Sequence, residues 1–225
     1  KYNAKGELKK KMGEEVKFIS LSSHLELNNF YYKLGFGHIQ KRDRNGKMVE
    51  RIEPPLDIPV FPKPNREGIT YNKDKDSLAV ISSGNINYLY HYNLKEKKWS
   101  VISLETKKKF QEIGYDKYSK NYVLLGEINQ DNSNIELSFM DEKGKIKSQE
   151  SISLDKFIGL REMYKSKKKS RKPGMNMFVL KDQIMITVFS TRNYYKGIER
   201  IYIYDKKSKK LYLTWVMKYT GKYTS

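Results

Sequence analysis

The densest candidate for chemistry in this chain is a run of cations: Arg161, then Lys165, Lys167, Lys168, Lys169, Arg171 and Lys172. Ammonium and guanidinium groups gathered in one short segment attract phosphate, sulfate or carboxylate, so the run is a candidate site for a polyanion such as nucleic acid, anionic lipid or acidic glycan. No aromatic residue interleaves Lys165 to Lys172, which argues against base stacking there. A second candidate, Asn72-x-Asp74-x-Asp76, has the first three ligand spacings of a calcium loop. Ser77 stands where that loop needs glycine and Ser83 where it needs the bidentate glutamate, so the segment reads as a solvated turn. His24, His38 and His91 share no paired metal spacing. Nucleophile elbows, phosphate-cradling glycine loops and zinc-protease motifs do not occur. The absence of cysteine excludes disulfides, thiolate metal sites and cysteine nucleophiles. No pattern calls for a metal or cofactor, and no catalytic residue is assigned.

The elements that must position these groups announce themselves by repetition. The turn Asn3-Ala-Lys-Gly-Glu-Leu8 recurs as Asp43-Arg-Asn-Gly-Lys-Met48 and Asp141-Glu-Lys-Gly-Lys-Ile146. Looser copies stand at Tyr92-Asn-Leu-Lys-Glu-Lys-Lys-Trp99 and Tyr204-Asp-Lys-Lys-Ser-Lys-Lys-Leu211. Where glycine is present it supplies a left-handed residue that closes a three-residue loop. Where it is absent the next apolar residue arrives one place later, as a four-residue loop requires, and the shift keeps the same strand face buried. A second anchor, Ile69 to Val80, matches Ile113 to Leu124 without a gap, as strand, polar turn, strand. Together the anchors give four antiparallel strands in about 40 to 50 residues, the size of a propeller blade.

Composition agrees with an all-β fold. Alanine occurs only at Ala4 and Ala79, while tyrosine, isoleucine, valine and phenylalanine are plentiful. The expected organisation is a single β-propeller domain over 1–225: a partial blade at 1–14, a blade at 15–53, a Pro-rich connection at 54–66, then blades at 67–104, 105–152 and 153–217. The last carries the basic insertion 161–174. Five of the six prolines lie in the connection, where ladder hydrogen bonds are not needed. The chain opens inside an outer hairpin, so an incomplete ring or a piece of a longer propeller is expected. No run approaches the ~20 apolar residues that span a bilayer.

Net charge is +19, from 45 Lys and Arg against 26 Asp and Glu. Three of the five lysine runs belong to or adjoin the repeated hairpins, where lysine also blunts exposed sheet edges. Much of the charge is therefore expected as a solvated rim, with Lys165 to Lys172 the off-repeat exception.

The pattern of Tyr-Asn/Asp-Lys turns followed by aromatic-Asp/Asn hairpins resembles the six-bladed, TolB-like propellers of uncharacterised lipoproteins from Bacteroides-type bacteria. The resemblance covers roughly residues 1 to 217. It implies an exported protein of the periplasm or cell surface, with a lipid anchor outside these residues, and it transfers no functional residue. The expected function is a non-catalytic binding or scaffold propeller with a protein or glycan ligand. Polyanion binding by the basic loop is the alternative, and a hydrolase or lactonase at the central channel, needing inward carboxylates or histidines, is the third.

Overall fold

A computed structural model describes residues 24–57, 61, 68–82, 86–126, 134–153, 174–189 and 198–218. Sixteen strands form four antiparallel sheets, each a meander whose strands pair in sequence order. Blade 1 comprises β1 (His24–Leu27), β2 (Phe30–Leu34), β3 (Ile39–Arg42) and β4 (Met48–Ile52). Blade 2 comprises β5 (Ile69–Asn72), β6 (Ser77–Ser82), β7 (Asn87–Asn93) and β8 (Lys98–Leu104). Blade 3 is β9 (Phe110–Asp116), β10 (Asn121–Gly126), β11 (Asn134–Met140) and β12 (Ile146–Ser153). Blade 4 is β13 (Gly174–Val179), β14 (Gln183–Phe189), β15 (Ile198–Asp205) and β16 (Lys210–Lys218). The first strands β1, β5, β9 and β13 lie side by side in that order at the centre. The chain is a β-propeller of four-stranded blades, as the repeat required.

Three apolar cores hold it, one at each junction between blades. Tyr32, Leu34, Ile39 and Ile52 meet Ile69, Leu78, Val80, Tyr90 and Tyr92 between blades 1 and 2. Ala79, Ile81, Leu89 and Leu104 meet Phe110, Ile113, Tyr115, Tyr122, Leu124 and Met140 between blades 2 and 3. Val123, Leu125, Ile135, Leu137 and Ile152 meet Met175, Met177, Ile184, Ile186, Val188, Tyr202 and Tyr204 between blades 3 and 4. The second strands explain their own sequences. In β6, Leu78 and Val80 face backward while Ala79 and Ile81 face forward; in β10, Tyr122 and Leu124 face backward while Val123 and Leu125 face forward. A strand covered on both faces reads as an unbroken apolar run. Outer strands such as β12, Ile146-Lys-Ser-Gln-Glu-Ser-Ile-Ser153, are half exposed, with Ile152 alone buried.

The hairpins take the two forms that the spacing predicts. Gly46 and Gly144 adopt φ of 81° and 83°. Asp43 and Asp141 each accept backbone N–H bonds from two loop residues through Oδ1, at Asn45 and Lys47 and at Lys143 and Lys145. In the longer form a lysine takes the left-handed place, Lys97 at 55° and Lys209 at 54°. Trp99, Ile146 and Leu211 then pack against the cores. Met48 does not; it is 49% exposed, because blade 1 turns that row away from blade 2. The turn Asn3 to Leu8 lies outside the described residues. From the Pro-rich connection, Phe61 reaches back to sit edge-on to Tyr90 and Trp99.

Candidate functional site

A meander places successive connections at alternate ends of its blade. The short turns 28–29, 43–47, 73–76, 94–97, 117–120, 141–145, 180–182 and 206–209 therefore share one end of the propeller. The strand ends at Leu34, Ile52, Ser82, Leu104, Gly126, Ser153 and Phe189 share the other. Most of the length variation in the chain is gathered at this second, loop end.

At the turn end most buried polar groups are paired, the Ser77 hydroxyl being an exception. Asn72, fully buried at the end of β5, donates through Nδ2 to Tyr122 OH at 2.8 Å and to Glu142 Oε1 at 3.1 Å. Its Oδ1 accepts from the N–H groups of Asp74 and Lys75. With Tyr122 OH already accepting, its proton is free for His91 Nε2, 3.1 Å away. That bond requires a neutral imidazole. Burial, reinforced by the nearby Lys75 charge, pushes His91 down to about 4 and keeps it neutral. Tyr115 OH donates to Asp74 at 2.7 Å and to Glu142 at 3.2 Å, while Lys75 Nζ lies 3.0 Å from Glu142. Lys73 to Lys75 of the expected solvated turn are exposed, but Asn72 is not. One junction further on, Asp116 accepts from Lys206 Nζ at 2.6 Å, from Tyr118 N and from Ser119 Oγ. Burial works to raise the Asp116 carboxyl, yet these bonds outweigh it and hold the group below the usual aspartate value. Polar groups paired in this way hold blades together.

Toward the loop end the Thr187 hydroxyl and the Glu112 carboxyl are buried without partners among the described residues, and Glu112 is the ionisable one. Only two carboxyls are buried among the described residues, Asp116 and Glu112. Glu112 stands near the start of β9 and is 8% exposed, and its carboxyl makes no hydrogen bond or ion pair among the described residues. Burial alone pushes it up to about 8, so it carries a proton at neutral pH. The repeat explains how it fits. Aligning Ile69 with Ile113 sets Gly68 in the place of Glu112, and the two positions are in contact. A methyl group on Gly68 would collide with the Glu112 carboxyl and come within 2.9 Å of Ile113 N. Glycine in one blade thus makes room for the acid of the next. A buried, shifted and unpartnered acid on an innermost strand is the feature here that fits a site for binding or proton transfer.

Sequence reasoning did not find Glu112, although the blade alignment carried a signal in the replacement of Gly68 by an acid. The seven cations predicted as a polyanion site, Arg161 to Lys172, lie outside the described residues. The strand ends that flank them in sequence, Ser153 of β12 and Gly174 of β13, are both at the loop end. His38 is buried and shares Gln40 with Arg42; His91 belongs to the turn end.

No family model matches the sequence, and no curated protein matches it. Solved structures resemble the fold. Bacteroides ovatus xyloglucan PUL GH43B superposes with a TM-score of 0.56 at 12% identity, covering 86% of this chain and 40% of that one. The bifunctional GH43-CE of Bacteroides eggerthii gives 0.54 at 11%, over 85% and 27%. Hydrazine synthase of Kuenenia stuttgartiensis gives 0.51 at 13%, over 82% and 50%. At such identities the likeness is one of fold. The chain spans half or less of the length of these structures.

Proposed function

We propose that this chain is a non-catalytic binding or scaffold propeller that receives its ligand at the loop end, over the inner strands where Glu112 stands. The observation that carries this reading is the contrast between the two ends. At the turn end Asn72 and Asp116 are spent on joining blades, whereas the Glu112 carboxyl toward the loop end has no partner among the described residues. Acid–base hydrolysis of glycosides uses a pair of carboxyl groups, one on each side of the scissile bond. Among the described residues the second buried carboxyl, Asp116, is tied to Lys206 at the opposite end of β9, so binding fits the geometry better than turnover. A six-bladed ring, lipid anchoring and a place in the cell envelope belong to the same proposal and rest on the resemblance of the hairpin pattern.

Titration calorimetry with a neutral oligosaccharide, a sulfated glycan and single-stranded DNA tests it, using wild type and Glu112→Leu. A ligand that binds wild type and loses tenfold or more in Glu112→Leu supports the reading. Turnover of the oligosaccharide that disappears in Glu112→Gln refutes its non-catalytic part, and binding indifferent to residue 112 refutes the site.

Polyanion binding is a second reading, favoured by the seven cations from Arg161 to Lys172 and by the +19 charge. Replacing Arg161, Lys165, Lys167, Lys168, Lys169, Arg171 and Lys172 by glutamine is expected to remove most affinity for the sulfated glycan and flatten its salt dependence. Unchanged affinity rejects this reading.

A further inference from the structure

We propose that the residue after each outer-hairpin Asp or Asn is a recognition position, by which a blade selects the inner-strand end of the blade before it. The two partners occupy equivalent places at each of the three junctions among the described residues. Asn72 ends β5 and Asp116 ends β9 in the aligned repeats; Glu142 follows Asp141 and Lys206 follows Asp205 in the hairpins of the succeeding blades. Asn72 donates to Glu142, and Asp116 accepts from Lys206. At the first junction the same two places hold Leu27 and Leu94, both packed against the core between blades 1 and 2.

Three junctions thus use three chemistries at one position: apolar with apolar, amide with carboxylate, carboxylate with ammonium. The pairs do not interchange. Blade 3 docked out of turn behind another copy of its own strand end would set Asp116 against Glu142, two carboxylates in a half-buried seam. Blade 4 docked behind blade 2 would leave the Lys206 ammonium facing an amide and the Lys75 charge. Blades of similar shape risk docking in the wrong order, and unlike pairs make wrong neighbours unfavourable as well as right ones favourable. The buried Asp116, which burial alone would push toward its neutral form, is retained as a charge because its partner in the next blade is a lysine.

Exchanging the codes between junctions tests this. Asn72→Asp with Glu142→Lys, made in a Lys75→Ser background that copies Ser119 and removes the opposing ammonium, writes the blade 3–4 pair into the blade 2–3 junction; Asp116→Asn with Lys206→Glu does the reverse. Both exchanges keep an oxygen at the strand end to accept the turn N–H bonds that Asn72 and Asp116 now receive. Equilibrium unfolding is measured for each single variant, each pair and the wild type. Each single change is expected to raise the unfolding constant about tenfold, as for a lost or opposed charge-assisted bond, and each pair to recover most of that loss. Asn72→Asp with Glu142→Gln, which removes repulsion without supplying an ammonium, is expected to recover less than the lysine pair. Additive effects in both exchanges overturn the proposal. Should Lys206→Glu alone fail to fold, the folding of its pair with Asp116→Asn is itself the recovery sought, and failure of that pair as well as additivity at the other junction refutes it.

Discussion

Glu112 and His91 are both buried and both neutral, and they oppose each other in their response to pH. His91 sits at about 4 in the folded chain against 6.5 when free, so the unfolded chain takes the proton first. Its contribution is whole above about 6.5 and is lost as pH falls toward 4. Glu112 sits at about 8 against 4.5, so its contribution is whole below 4.5 and is lost as pH rises toward 8. At ~1.4 kcal/mol per unit, the Glu112 loss approaches ~5 kcal/mol by pH 8. Glu112→Gln, which copies the protonated acid, is therefore expected to match wild type near pH 4.5 and to exceed its stability by several kcal/mol at pH 8. His91→Gln should flatten the acid-side decline. Urea denaturation at pH 4.5, 6.5 and 8 checks both, and a Glu112→Gln protein no more stable than wild type at pH 8 shows that the carboxylate has a partner. An acid kept at such a cost is what a functional position, rather than a packing position, leads one to expect. Its burial was not legible from Phe110-Gln-Glu-Ile113, where the acid reads as an ordinary polar place; the close approach of Gly68 makes the difference.

Among the elements, the hairpins were the most legible, because their spacing records local backbone geometry. Gly46 and Gly144 share a left-handed conformation but differ in surroundings. A Cβ on Gly46 meets nothing, whereas one on Gly144 would lie 2.8 Å from Leu104 Cδ2 and 2.9 Å from Ile102 Cγ2. Gly46→Ala is expected to cost about 1 kcal/mol of backbone strain, and Gly144→Ala that amount plus ~1–3 kcal/mol from crowding blade 2. Thermal unfolding of the two variants checks the order; equal losses would mean that the blade 2 side chains give way freely. The left-handed lysines were not legible, since Lys97 and Lys209 have no preference for that conformation and are held in it by the loop. Nor was the role of Asn72. It sits in a sequence that spells a solvated turn, while its partners Tyr122 and Glu142 are 50 and 70 residues away. Local pattern specifies the turn; only the stacking of blades specifies what the turn touches.

Across the whole molecule, the repeat made the propeller legible, and the charge proved to be partly structural. Lys75, Lys108, Lys147, Lys206 and Lys209 hold Glu142, Glu136, Asp141, Asp116 and Glu150. Most of these pairs are exposed and stabilise little, Lys206 with Asp116 being the buried exception. Hydrogen exchange is expected to be slowest in β6 and β10, intermediate in the other strands of blades 2 and 3, and fastest in the outer strands of blades 1 and 4. Uniform protection over all four blades would contradict that ranking. The two-sidedness of β6 and β10 carries a consequence for how the chain comes apart. Because one strand supplies side chains to the core before it and the core behind it, neighbouring junctions cannot melt independently, and damage at one is felt at the next. The propeller should behave as a short row of coupled links, in which Val123→Ala loosens Tyr122 and the blade 2 contacts as well as the blade 4 contacts that Val123 itself makes.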